Sequence, residues 1–174
     1  MIKLVILDVD GVMTDGRKYY DHTGMPIMKT YCDKDFTAIK RLKGAGVKIC
    51  ILSGDDFVNR AMAKNRNIDF YSARGKDKAD FIPRFIETYS AQPEEMVYIG
   101  DDLFDKSIME AVGYAYCPAD SCADIRKLCG TNNTLRNNGG CNVVAELADI
   151  MLKRNMVPDA TMEEIEALDK REKF

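Results

Sequence analysis

Histidine is almost absent from this chain: His22 is the only one among 174 residues. That removes most of the chemistry imidazole supports. A zinc site has too few nitrogen ligands, and a catalytic cysteine has only one candidate partner. Cys32, Cys50, Cys117, Cys122, Cys129 and Cys141 form no Cys-x-x-Cys pair, and His22 stands apart from them. They read as free thiols of a reducing compartment. No apolar run is long enough to cross a bilayer. Ile2 to Val9 is apolar, but Lys3 and Asp8 interrupt it and no cleavage pattern follows, so a cytoplasmic location is expected. Neither sign of charge dominates: 25 Lys and Arg stand against 28 Asp and Glu, a net charge of -3. Neither nucleic acid nor an acidic membrane surface is an expected partner.

What is present is an ordinary globular composition, 46% hydrophobic and 30% charged, with length enough for one full core. Short apolar runs alternate with segments of helical period. Ile2 to Leu7, Val47 to Leu52 and Met96 to Ile99 are continuous and apolar, as strands buried on both faces require. Phe36, Ile39 and Leu42 repeat at helical spacing and stop at Gly44 and Gly46. Phe81, Ile82, Phe85, Ile86 and Tyr89 form a second stripe, with Pro83 in its first turns. Leu103, Ile108, Met109 and Val112 give a third, and Val143, Val144, Leu147, Ile150 and Met151 a fourth. The order predicts an α/β fold, an open doubly wound parallel sheet with right-handed crossovers.

Residues 17–31 break the alternation. Tyr19-Tyr20 and Ile27 to Tyr31 read as extended pieces around an Asp21-His22-Thr23-Gly24 turn, which predicts a β-hairpin inserted after the first strand. His22 reads as a surface residue at that turn. One domain is expected over residues 1–155, followed by a charged tail, 156–174, with Ile165 and Leu168 as weak helical anchors.

Ligands of such sheets bind at the carboxyl ends of the strands. Here those ends carry Asp8-Val9-Asp10-Gly11, Ser53-Gly54-Asp55 and Gly100-Asp101-Asp102-Leu103-Phe104-Asp105. Carboxylates brought so close are unfavourable unless a cation sits among them, and an all-oxygen set favours a hard ion such as magnesium.

Asp8-x-Asp10-Gly-Val-x-Thr14, Ser53, a lysine and Gly100-Asp101-Asp102-x-x-Asp105 together resemble the four motifs of the haloacid dehalogenase superfamily, in order along the chain. Thr14-Asp15-Gly16, the short length and Gly139-Gly140 extend the resemblance, over roughly residues 1–152. The branch is that of small capless sugar-acid phosphatases acting on octulosonate or nonulosonate phosphates. The resemblance implies a phosphomonoesterase with a Mg2+ cofactor and an aspartyl-phosphate intermediate. Asp8 is then the nucleophile and Asp10 the general acid and base. Ser53 holds the transferring phosphoryl group, though it also suits a helix N-cap. Lys78, within Asp77-Lys78-Ala79, fits the motif pattern better than Lys76 and would stabilise phosphoryl oxygens. Asp8, the Asp10 carbonyl and Asp101 would hold the metal, with Asp102 beside them or acting through water. Asp105 is either part of this set or a helix cap. Thr14, Gly54, Lys34 and Asp35 are candidates for contact with substrate.

The resemblance also implies a homotetramer joined through the hairpin, whose Tyr19, Tyr20, Ile27 and Met28 would otherwise lie exposed. Residues 139–146 depart from the family's Gly-Gly-x-Gly-x-x-Arg-Glu: Asn142 replaces the third Gly and Ala145 the Arg. That points to a different substrate within the branch. Three rival readings share the fold. A dehalogenase needs neither Asp10 nor the Asp101-Asp102-Asp105 cluster, and a phosphomutase needs a cap too long for this chain. A non-catalytic assembly module would not need Asp8 and Asp10, and both are retained.

Overall fold

The computed structural model describes residues 1–172. Five parallel strands form the sheet: β1 (Leu4–Leu7), β4 (Lys48–Ser53), β5 (Asp69–Ser72), β6 (Met96–Ile99) and β7 (Tyr114–Tyr116), in the spatial order β5-β4-β1-β6-β7. β1 is central, and the chain crosses over to either side of it. Its carboxyl end is therefore the topological switch point, where a doubly wound sheet opens a crevice.

The alternation of side chains along each strand divides the core in two. Val5, Leu7, Val97 and Ile99 face one layer, filled by Phe36, Ile39 and Leu42 of α1 (Asp33–Gly44) and by α6 (Val143–Lys153), which supplies Val144 and Leu147. Leu4, Ile6, Met96 and Tyr98 face the other. That layer holds Phe85 of α3 (Ile82–Tyr89), Ile108 of α4 (Lys106–Ala111) and Ile125 of α5 (Ala123–Asn133). Strands apolar at every position are what such burial demands. α2 (Phe57–Asn65) links β4 to β5.

The inserted hairpin is present as β2 (Tyr19–Tyr20) and β3 (Pro26–Met28), with Asp21 closing the turn by accepting from the N–H groups of Thr23 and Met25. β3 is shorter than the extended piece expected over residues 27–31, because Lys29 turns inward and is buried. His22 is exposed, as the sequence suggested.

The tail beyond residue 155 is docked on the rest of the chain. Val157 is buried, and α7 (Met162–Asp169) lies against α1. Gly44 lets it approach: a Cβ there would come within 2.9 Å of the Ala160 Cβ. Lys40 pairs with Asp169 and Glu172, and Arg66 reaches Glu172 at 2.8 Å. The last two positions of the expected tail, 173 and 174, lie outside the described residues.

Asp35 joins α1 to α6. Its Oδ1 accepts from the Ala145 N–H at 3.0 Å, while Oδ2, also buried, has no partner among the described residues. Burial pushes its carboxyl up to about 6, against the opposing pull of the Ala145 and Val144 N–H groups. A pKa raised on folding stabilises the protein below the unfolded value, and the gain is lost as pH rises through the folded value. Relative to Asp35→Asn, the wild type should therefore lose up to about 3 kcal/mol of unfolding free energy between pH 4 and pH 7. Urea melts of both proteins across that range measure the difference, and a pH-independent difference contradicts the assignment.

Candidate active site

Three segments bring their ends together at the carboxyl edge of the sheet. β1 runs directly into Asp8, whose own N–H donates to the Ile99 carbonyl at 3.1 Å and so ties it to β6. Asp8 Oδ1 accepts from the Val9 N–H at 2.7 Å. Oδ2 lies 2.8 Å from Lys78 Nζ. Lys78 begins the 3-10 turn Lys78–Phe81, capped by Asp77, and is itself buried. Its ammonium is divided among Asp8, Asp105 Oδ1 at 2.5 Å and the Tyr98 hydroxyl at 2.9 Å.

Asp105 is the anchor of the third segment. Its Oδ1 also accepts from the Tyr98 O–H at 2.5 Å, and its Oδ2 accepts from the N–H groups of Asp101 and Asp102. Every acceptor direction is engaged, so Asp105 shapes the loop and holds Lys78. Asp105 belongs to the carboxylate cluster, but its side chain makes no cap bond to α4, the helix it was expected to cap; it bonds back to the loop before it. The close packing needs glycine. A Cβ on Gly100 would stand 2.5 Å from Asp105 Cγ, and one on Gly11 (φ +83°) 2.0 Å from Asp101 Oδ2.

Asp8, Asp101 and Asp105 each bring an oxygen within 4.8 Å of the others. Burial, then the charges of its neighbours, raises Asp101 to about 8, with Lys78 opposing. Burial likewise raises Asp8 to about 7 despite Lys78, and Asp105 adds to the rise. Burial disfavours the charge of Lys78, but Asp8 and Asp105 outweigh it and hold the ammonium protonated well above the usual lysine range. One lysine thus faces more carboxylate than it can neutralise. The donor set is all oxygen, and it fits a hard divalent cation.

Asp10 is partly exposed and lies across the cleft mouth, where Lys29 contacts both its oxygens at 2.7 and 3.0 Å. Ser53 is buried at the end of β4, its Oγ accepting from Asn59 Nδ2 at 3.0 Å and from the Asp55 N–H at 3.4 Å. A cleft of about 550 Å³ joins these residues, lined by Asp8, Asp10, Ser53, Lys78 and Asp101, with Lys18 and Arg74 among its cations.

Of the residues singled out from sequence, Asp8, Asp10, Ser53, Gly54, Asp55, Lys78, Asp101, Asp102 and Asp105 line this cleft. Lys76 lines it too, exposed at the rim over the Phe81 ring. Asp102 is exposed and caps the Leu103–Asp105 turn, outside the cluster that Asp8, Asp101 and Asp105 form. Three expected substrate contacts lie elsewhere. Thr14 is fully buried, its hydroxyl donating to the Val9 carbonyl and accepting from the Gly16 N–H, so it closes the loop after β1. Lys34 is exposed on the first turn of α1, away from the cleft lining. Asp35 is occupied by the start of α6. The pair they form is consumed by helix geometry. Gly139 and Gly140 press on the β1 loop from beneath, where a Gly139 Cβ would meet the Gly11 carbonyl at 2.2 Å.

Sequence reading missed Lys29, Asn59 and Tyr98, and gave Asp55 only as one of the strand-end carboxylates. Tyr98 alone carried a signal, a hydroxyl inside an otherwise apolar strand.

The two ambiguous carboxylates separate by substitution. Asp105→Ala leaves two N–H groups and a buried ammonium short of an acceptor, and should cost about 3 to 5 kcal/mol. Asp102→Ala should cost about 1 kcal/mol or less, the worth of an exposed cap. Thermal or denaturant unfolding of the two variants checks the contrast, which equal losses would contradict.

Comparison with known proteins agrees with the geometry. The family model for haloacid dehalogenase-like hydrolases matches residues 32–113. The 3-deoxy-D-manno-octulosonate 8-phosphate phosphatase of Yersinia pestis is 32% identical over 156 residues, 87% of this chain and 80% of that protein. The cobalt-bound phosphatase of the same description from Haemophilus influenzae superposes with a TM-score of 0.80 at 31% identity, covering 87% of this chain and 88% of the other. The Moraxella catarrhalis enzyme, solved with a magnesium ion, a phosphate ion and a KDO molecule, gives 0.79 at 25% identity, covering 87% and 86%. With its carboxylate cluster at the switch point of the sheet, the chain belongs to the haloacid dehalogenase-like hydrolases and, within them, to the phosphatases.

Proposed function

We propose that the chain is a magnesium-dependent phosphomonoesterase acting through an aspartyl-phosphate on a phosphorylated sugar acid, such as 3-deoxy-D-manno-octulosonate 8-phosphate or a nonulosonate 9-phosphate. The observation that carries this reading is Asp8 at the end of the central strand, paired with Lys78 and opening onto the cleft beside Asp101. A carboxylate oxygen of Asp8 attacks phosphorus as the ester P–O bond breaks, and Asp10 gives its proton to the leaving oxygen. Asp10 then takes a proton from water as that water attacks phosphorus, releasing inorganic phosphate and restoring Asp8. Lys78 and Ser53 stabilise the phosphoryl oxygens. Asp8, Asp101 and the Asp10 carbonyl would hold magnesium. Its chemistry is to neutralise charge between the anionic nucleophile and the anionic ester.

Arg74 and Lys76 on the cleft lining supply cations for a second anionic group, which suits a substrate bearing a carboxylate as well as a phosphate. The names of the relatives support the same class. The Tyr19, Tyr20, Ile27 and Met28 side chains, each more than half exposed, support assembly through the hairpin into a homotetramer. No helix among the described residues is long and apolar enough to cross a membrane.

Phosphate release from a panel of sugar-acid and sugar phosphates tests the reading. Turnover should require magnesium, stop with EDTA and fall by on the order of 10³-fold or more in Asp8→Asn. An eight- or nine-carbon acid phosphate should be the best substrate. Metal-independent turnover, or release undiminished in the variant, would contradict it.

A further inference from the structure

The ammonium of Lys29 is completely buried, with 0% side-chain exposure, in a chain whose lysines are otherwise mostly at the surface. Nζ meets Asp10 Oδ1 at 2.7 Å and Oδ2 at 3.0 Å, Asp55 Oδ2 at 2.7 Å and Asn59 Oδ1 at 2.8 Å. An ammonium has three protons, and three side chains receive them. Asn59 is also fully buried. Its Nδ2 donates to Asp10 Oδ2 at 3.2 Å and to Ser53 Oγ at 3.0 Å, and its Oδ1 accepts from the Tyr31 hydroxyl at 3.2 Å.

Stability alone does not account for this arrangement. Burying a charge is costly, and a paired charge is often no better for stability than an apolar side chain of like volume. What the pairing supplies is geometry. Asp10 lines the cleft and retains 22% side-chain exposure, while its Oδ1 is buried against Lys29 and its Oδ2 accepts from Lys29 and Asn59. A carboxylate that passes a proton to a leaving oxygen must be held within hydrogen-bond reach of it, and free rotation would forfeit most of the effect. The same asparagine bonds Ser53, so the proton donor and the phosphoryl-binding hydroxyl are set by one side chain. The hairpin takes part from both ends. Lys29 follows β3, and Lys18 precedes β2, placing its Nζ 3.0 Å from Asp55 and 3.8 Å from Asp10.

We infer that Lys29 and Asn59 are positioning residues for Asp10, and that the hairpin is thereby built into the proton-transfer half of the site. The inference rests on Asp10 being the general acid of the proposed reaction. Neither residue touches the reacting phosphorus. They act through the carboxylate they hold.

The test separates proton donation from phosphoryl transfer. Full-length wild type, Lys29→Met, Lys29→Arg and Asn59→Ala are compared with magnesium on aryl phosphates of graded leaving-group acidity, from phenyl to p-nitrophenyl phosphate. The readout is first-turnover release of the phenol, with circular dichroism confirming each fold. A poor leaving group needs the proton and a good one does not. Lys29→Met should lose about 10²-fold or more on phenyl phosphate but less than about tenfold on p-nitrophenyl phosphate. The dependence on leaving-group acidity should steepen in the same variant. Asn59→Ala should steepen it less, and Lys29→Arg should restore part of the loss. Equal losses across the series, a loss confined to KM, or no loss would overturn the inference while leaving the phosphatase reading intact. Should Lys29→Met fail to fold, Asn59→Ala decides alone, and an unchanged slope there overturns it. A wild type inert on every ester overturns the phosphatase reading itself, and this inference with it.

Discussion

Carboxylate crowding around a single buried lysine is the constraint on which the rest of the structure depends. Asp8, Asp101 and Asp105 converge at the end of β1 with only Lys78 to offset them, and burial with mutual repulsion raises Asp8 and Asp101 toward neutral pH. Such a cluster persists only where the surrounding backbone holds it and a cation can share it. The backbone does this through missing side chains. Gly11 and Gly100 leave the space that Asp101 and Asp105 occupy, and Gly139 lets the turn before α6 seat beneath the β1 loop. Asp105 spends all its acceptor capacity on Lys78, Tyr98 and the loop N–H groups, leaving Asp8 and Asp101 as the less fully engaged carboxylates of the cluster.

The sheet is central to this because a parallel strand order that reverses at β1 brings several carboxyl ends to one crevice. β1, β4 and β6 were legible as continuous apolar runs, since burial on both faces leaves no polar position. The edge strands were not. Asp69–Ser72 and Tyr114–Tyr116 are short, and Asp69 and Tyr114 are exposed, so neither makes an apolar run that stands out. α2 and α5 escaped for a related reason, each burying only one or two of its residues.

The site divides in the same way. Asp8, Asp10, Ser53 and Asp101 could be read from local motifs, and Lys78 from its neighbours Asp77 and Ala79. Lys29 and Asn59 could not, because their meaning lies in contacts with Asp10, 19 and 49 residues away along the chain. Asp35 was misread for the opposite reason. Its place beside Lys34 suggested a substrate contact, but its partner is the Ala145 N–H, 110 residues on. The tail was opaque because its anchors, Glu172 to Arg66 and Lys40, are likewise distant ion pairs. The hairpin was legible as a hairpin, but its inner role was not: its exposed aromatic face reads directly, whereas the lysines at its two ends show their purpose only when Asp10 and Asp55 are seen between them.

The central claim is that Asp8 carries the phosphoryl group. Acid quench of the magnesium-loaded protein during its first turnover of a substrate ester, followed by peptide mass spectrometry, tests it most directly. The account predicts the added mass of one phosphoryl group on the peptide bearing Asp8, absent in Asp8→Asn. Turnover with no phosphorylated peptide, or with the group on any other residue, would contradict it.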